Sequence, residues 1–167
     1  GIEMLKDTLD DILGKRNDRE KVKQIKKILT SEPSVRGAYD VFLNDYGPNK
    51  LIGSVHLELP DTMTVEELDA LTRKLQTKVH KETGVTLTGV GVYSYNTGNN
   101  EAAKIRNDIL HIVKAHEWAL QMHGFFVDFE EKTIRFDVVL SFDIMPEEAL
   151  EILNKDLSAA YPEFSVH

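Results

Sequence analysis

Apolar residues recur at two periods along this chain, and the switches between them mark out its elements. Ile2, Leu5, Leu9 and Ile12 form one stripe on a short predicted helix that Gly14 stops. A second helix is predicted over 19–30, with Asp18 as N-cap and Val22, Ile25, Ile28 and Leu29 facing inward. Pro33 and Gly37 end it. Ala38–Asp45 and Lys50–Leu59 read as two strands around a turn of Gly47, Pro48 and Asn49. In the second strand Leu51, Val55, Leu57 and Leu59 share one face, while Ser54, His56 and Glu58 share the other. Thr64 and Glu67 have capping-box spacing before a helix that turns Leu68, Leu71, Leu75 and Val79 inward. Gly84 closes that helix, and Val85–Tyr95 reads as a third strand, bulged near Gly89 and Gly91.

After a linker at 97–100 the same order returns. Ile109, Ile112 and Val113 repeat Ile25, Ile28 and Leu29 at an offset of 84. The hairpin repeats at 83, pairing Phe42 with Phe125, Asp45 with Asp128, Leu51 with Ile134, Val55 with Val138, Leu57 with Leu140 and Leu59 with Phe142. The next helix repeats at 82, pairing Leu68 with Leu150, Leu71 with Leu153 and Leu75 with Leu157. Length changes confined to loops fit a duplication. The chain therefore reads as α+β, two tandem ferredoxin-like αββαβ units, each a small, mainly antiparallel sheet with helices on one face. The predicted divisions are 1–18 for a leading helix and linker, 19–97 for the first unit and 98–167 for the second. His167 falls where the first unit's third strand begins, so the second unit lacks most of its last strand. The chain is expected to continue for on the order of ten residues, about a strand length. Each sheet leaves one face open, to be covered by a partner subunit or by the sister unit.

Composition narrows the chemistry. The 167 residues include 41% apolar and 29% charged ones, which suits a water-soluble globular protein. The absence of cysteine excludes disulfides, thiolate zinc sites, iron–sulfur clusters and cysteine nucleophiles. The longest uncharged stretch, 83–100, is too rich in Thr, Gly and Asn to match the roughly 20 apolar residues of a spanning helix. Of the net charge of −8, residues 98–167 carry −7, a surface that repels phosphate backbones, and no nucleic-acid partner is expected. The basic run from Lys15 to Lys27 reads as a solvated helix face, with attraction to anionic lipid headgroups as the other option. Trp118, Phe125 and Phe126 read as core or interface aromatics, and His116 as part of the buried seam with Ile109 and Ile112. Phosphate-binding loops, H-E-x-x-H and G-x-S-x-G are all missing, so no enzyme is expected.

Several runs in order carry a family likeness: Ile12-Leu13-Gly14, Pro33-Ser34-Val35-Arg36-Gly37-Ala38-Tyr39-Asp40, Gly53-Ser54-Val55-His56-Leu57-Glu58-Leu59 and Thr64-Val65-Glu66-Glu67-Leu68. Together with the closing Val/Thr-rich strand they cover about Ile2 to Asn96. This stretch resembles the cytoplasmic C-terminal domain of cation diffusion facilitator transporters, exporters of zinc, manganese and related divalent cations. The resemblance implies a cytosolic regulatory and dimerisation domain at the cytoplasmic face of the cell membrane. Its partners would be a second copy and the transmembrane region of the same polypeptide, lying before Gly1. It implies a regulatory divalent ion, zinc or manganese, with His56 and Asp40 as ligands. Tyr39 and Tyr93 stand where the family commonly has histidines. By the repeat, His123 falls where Asp40 falls, with a carboxylate such as Asp137 as its companion. The competing expectation is a freestanding ferredoxin-like module that senses a small ligand.

Overall fold

The structure is a computed structural model that describes residues 16–47 and 50–167. The helix predicted over Ile2–Leu13 and the turn residues Pro48 and Asn49 lie outside the described residues. The chain divides into two compact units, one running to Leu59 and resuming over Met63–Val92, the other holding Pro60–Thr62 and Tyr93–His167.

In the first unit α1 (Arg16–Leu29) precedes β1 (Gly37–Asp45), β2 (Leu51–Pro60), α2 (Val65–Thr83) and β3 (Thr86–Tyr95). The strands lie in the order β1-β2-β3, with β1 and β2 antiparallel. Ile25, Ile28 and Leu29 of α1 are buried as their spacing requires, and Val55, Leu57 and Leu59 of β2 meet them together with Leu75, Val79, Val85 and Leu87. Two local expectations change. The helix already includes Arg16, so Asp18 lies within α1 rather than capping it. Glu58, predicted to face outward with Ser54 and His56, is only 7% exposed. Its carboxylate accepts the Tyr39 hydroxyl at 3.4 Å, the polar partner that such burial demands. The basic run is not wholly solvated either, since the half-buried Lys21 donates to the Thr83 carbonyl at the C-terminal end of α2, 3.2 Å away.

The capping box is present. The Glu67 N–H donates to the Thr64 hydroxyl at 3.2 Å, and the Thr64 N–H donates to the Glu67 carboxylate at 2.8 Å. Gly84 ends α2 in the left-handed region at φ 74°, where a Cβ would be strained. The Thr64 backbone bond, then its side-chain bond, lowers the Glu67 pKa. Its stabilising effect is therefore present above the ordinary carboxylate range and lost as pH falls through the lowered value. Thr64→Ala removes both the side-chain acceptor and the reason for Glu67 to fold back. A loss of about 1 kcal/mol in urea unfolding is expected, with helix content by circular dichroism unchanged in water.

The second unit repeats the order with α3 (Glu101–Lys114), β4 (Ala119–Asp128), β5 (Thr133–Leu140), α4 (Pro146–Ala160) and β6 (Ser165–Val166). Its strands lie β4-β5-β6, with β4 antiparallel and β6 parallel to β5. As the repeat predicts, the last strand is short: two residues against the ten of β3. Ile105, Ile109, Val113, Met122, Ile134, Leu153 and Leu157 form the core. Asn100 caps α3 through a bond from the Ala103 N–H at 3.0 Å. His116 is not in an apolar seam: just past α3, it pairs with Asp156 of α4 at 3.0 Å and stacks on Trp118 at 4.7 Å. The Tyr161 phenol, pushed up to about 12 by burial and then by its bond to Asp108, stays a donor at neutral pH.

The register corrects the hairpin alignment. Tyr39 pairs with His56 and Phe42 with Ser54 around one bulge, while His123 pairs with Asp137 and Phe126 with Arg135 around the other. The bulges match at an offset of 84 in the first strand and 81 in the second, not 83 throughout. Phe42 thus corresponds to Phe126, and the two are alike in exposure at 65% and 55%. Leu59 corresponds to Leu140, whereas Phe142 lies beyond β5 in solvent. Leu150 also departs from its counterpart: Leu68 packs against the first core, yet Leu150 is 59% exposed.

Candidate metal-binding site

The site residues are positioned by the two bulges. In the first unit Asp40 sits inside the bulge of β1 with φ 50°, an uncommon conformation that aspartate tolerates better than most residues. One residue earlier, Tyr39 pairs directly with His56 of β2. The consequence is an ion-pair contact of 3.2 Å between His56 Nδ1 and Asp40 Oδ2, both side chains partly open to solvent. Gly91 of β3 makes room for that ring. A Cβ there would lie 2.2 Å from His56 Cδ2 and 2.4 Å from Nε2. The predicted pair of ligands is therefore brought together.

The second unit carries the same two residue types exchanged between strands. His123 stands on β4 at the position of Tyr39, and Gly124 with φ 65° takes the place of Asp40. The expectation that His123 corresponds to Asp40 is thus off by one residue, because the bulge rather than the strand alternation sets the match. Asp137 of β5 is the cross-strand neighbour of His123 and stands where His56 stands in the first unit. His123 is 7% exposed, with Nε2 4.0 Å from Asp137 Oδ2, beyond hydrogen-bond range. Tyr93, which belongs to this unit, donates its hydroxyl to Asp137 Oδ2 at 3.4 Å, and its ring lies 6.0 Å from that of His123. A Cβ on Gly124 would come 2.8 Å from the same carboxylate oxygen.

Imidazole nitrogen with carboxylate oxygen is a donor set that suits zinc and manganese. Within each unit taken by itself, the described residues assemble two such ligands, not the four of a closed zinc site. Sequence reasoning named these four residues but missed the two glycines. The only signal for Gly91 was its place in Gly89-Val90-Gly91, where the strand pattern loses its side chains.

The first unit is thus a ferredoxin-like α+β module with a polar pair at a strand bulge. Residues 17–88 match the family described as the cytoplasmic domain of cation efflux proteins. No curated protein matches the chain. Similar solved structures include the nickel form of a MamM C-terminal-domain variant, at 16% identity over 46% of this chain and 98% of the other, with a TM-score of 0.42. The metal-bound C-terminal domain of the CzcD transporter from Thermotoga maritima is 23% identical over 52% and 99%, with a TM-score of 0.42. The MamB C-terminal domain from Desulfamplus magnetovallimortis BW-1 is 17% identical over 48% and 98%, with a TM-score of 0.40. Among the described residues no helix is long and apolar enough to cross a membrane.

Proposed function

We propose that this chain is the regulatory and dimerisation part of a divalent-cation efflux transporter, working at the cytoplasmic face of the membrane beside a transmembrane region of the same polypeptide. The observation that carries this reading is the family match over 17–88, which falls on the unit holding Asp40 and His56. Two ligands from the first unit of each copy is the chemically telling feature. A zinc or manganese ion held by Asp40 and His56 gains a fuller set when two copies present the pair to one ion, so binding favours association. Tyr39 and Tyr93 add little, because a phenol is a poor ligand for zinc or manganese beside imidazole and carboxylate. His123 with Asp137 forms a second ligand pair. The chain's part in transport is regulatory.

Sedimentation velocity with and without zinc or manganese, paired with calorimetry, tests the reading. The cation is expected to raise the dimer fraction, at one bound ion per two chains for the first pair. Asp40→Asn with His56→Ala should remove that response while leaving circular dichroism intact. An unchanged response in the double variant would overturn the assignment of the first pair. Thermal stabilisation by an amino acid or nucleotide, and by no metal, would favour the ligand-sensing module instead.

A further inference from the structure

A cleft of about 170 Å³ lies wholly within the second unit, lined chiefly by Asp61, Ser94, Asn96, Arg106, Phe125 and Phe126. Arg106 comes from α3 and the two phenylalanines from β4, while Asp61, Ser94 and Asn96 come from the turn after β2 and the end of β3. Sites for drug-sized ligands run to roughly 300–1,000 Å³, so this one suits a single small metabolite rather than a dinucleotide or a peptide. Asp61, Ser94 and Phe126 are exposed, which gives an entrance from solvent.

The two charges are the unusual feature. Arg106 is half-buried in a stretch, 98–167, whose net charge is −7, yet among the described residues it forms no ion pair. Its side chain makes one hydrogen bond there, a long one of 3.5 Å to Asn107 Oδ1. Its neighbours three and four residues away on α3 are Ala102, Ala103, Ile109 and Leu110, so the helix offers it no carboxylate. Asp61 lines the same cleft but is fixed by other groups. The Thr97 N–H at 3.1 Å and the Thr97 hydroxyl at 2.7 Å both donate to its Oδ1. Its own N–H donates to the Tyr95 carbonyl at 3.0 Å, which ties the turn to the end of β3. Asn96 is held likewise: its amide donates to Asn100 Oδ1 at 2.9 Å, and its oxygen accepts the Gly98 N–H at 2.8 Å. This polar wall is set in advance, which lowers the ordering cost of binding.

Charge and polarity narrow the ligand. A plain anion drawn to Arg106 meets the Asp61 carboxylate, and a plain cation drawn to Asp61 meets the guanidinium. The two side chains share the cleft without pairing with each other, so a molecule that satisfies both carries opposite charges on separate atoms. The wall of Phe125 and Phe126 asks that the rest of it be apolar.

We propose that this cleft binds a free α-amino acid with an apolar side chain. Its carboxylate rests on Arg106, its ammonium on Asp61 and its side chain against Phe125 and Phe126. The proposal stands on the second unit and is independent of the metal reading, because a chain that takes both a cation and an amino acid satisfies the two together.

Calorimetry of the whole chain, free of added metal, with L-leucine, L-methionine and L-phenylalanine tests it. At least one of the three is expected to bind saturably, one molecule per chain. Masking either charge of the ligand should weaken binding tenfold or more, in the N-acetyl derivative by loss of the ammonium and in the amide by loss of the carboxylate. Arg106→Gln and Asp61→Asn should each weaken it by a similar factor, with Trp118 fluorescence verifying that both variants are folded. No saturable binding of any of the three up to tens of millimolar overturns the proposal. So does equal binding of the amide or the N-acetyl derivative, or full affinity in either variant.

Discussion

Ile109→Ala is expected to cost the second unit about 2–5 kcal/mol, the range for emptying a fully enclosed aliphatic site. Ile109 has no exposed surface and lies on the α3 stripe with Ile105 and Val113, facing Ile134 and Leu157. Truncation removes three carbons from a site walled by a helix on one side and a strand on the other. Neither can close the gap without breaking its own backbone bonds, so the cavity term adds to the transfer term. The readout is built in, because Trp118 is the chain's single tryptophan and packs against this same core. With an m-value of about 1–3 kcal/mol per molar urea, the fluorescence midpoint should fall by roughly 1 M or more. A loss under about 1 kcal/mol would mean that Ile109 is not enclosed and that the repeat of Ile25 in the first unit has no structural meaning.

Much of this core was legible because burial imposes a period. The stripes through Ile25 and Ile109, and the alternation of Val55, Leu57 and Leu59, have one solution each once the helix and strand are recognised. The capping box was equally readable, since Thr64 and Glu67 interact only with each other and the backbone between them. The hairpin register was not readable. Moving β5 from an offset of 83 to 81 is a slip of two residues, which leaves every side chain on the same face. The bulge in β4 then absorbs the shift in the other strand, and nothing in a strand's alternation announces a bulge. The second bulge had a signal in Gly124, whereas the first places Asp40 at positive φ, where residue type alone is a weak guide. Glu58 was misplaced for a related reason, because pairing it with Tyr39 across two strands makes a buried carboxylate tolerable. Asp40, His56, His123 and Asp137 are conspicuous by type, but their pairing depends on bulges, and their space depends on residues notable for having no side chain.

That dependence makes Gly91→Ala the sharpest test of the first ligand pair. Gly91 is not in the left-handed region, so alanine meets no backbone strain and the effect is purely one of space. The added methyl would sit 2.2 Å from His56 Cδ2, closer than real carbon contacts occur, and the imidazole must swing away. A ring that moves enough to clear it cannot keep Nδ1 3.2 Å from Asp40 Oδ2. Overpacking of this kind costs about 1–3 kcal/mol in stability. The larger consequence falls on the cation, because a misoriented ligand costs about 10–100-fold in affinity. Zinc or manganese titration by calorimetry, together with the imidazole resonances of His56, should show both changes. Gly89→Ala is the control two residues away on the same strand: its Cβ would meet only Ser54 Cβ of β2 at 3.4 Å, an ordinary contact. It should bind the ion as the parent chain does. If Gly91→Ala also binds normally while its His56 resonances shift, the imidazole moves without consequence, and His56 is a surface histidine paired with Asp40 rather than a ligand.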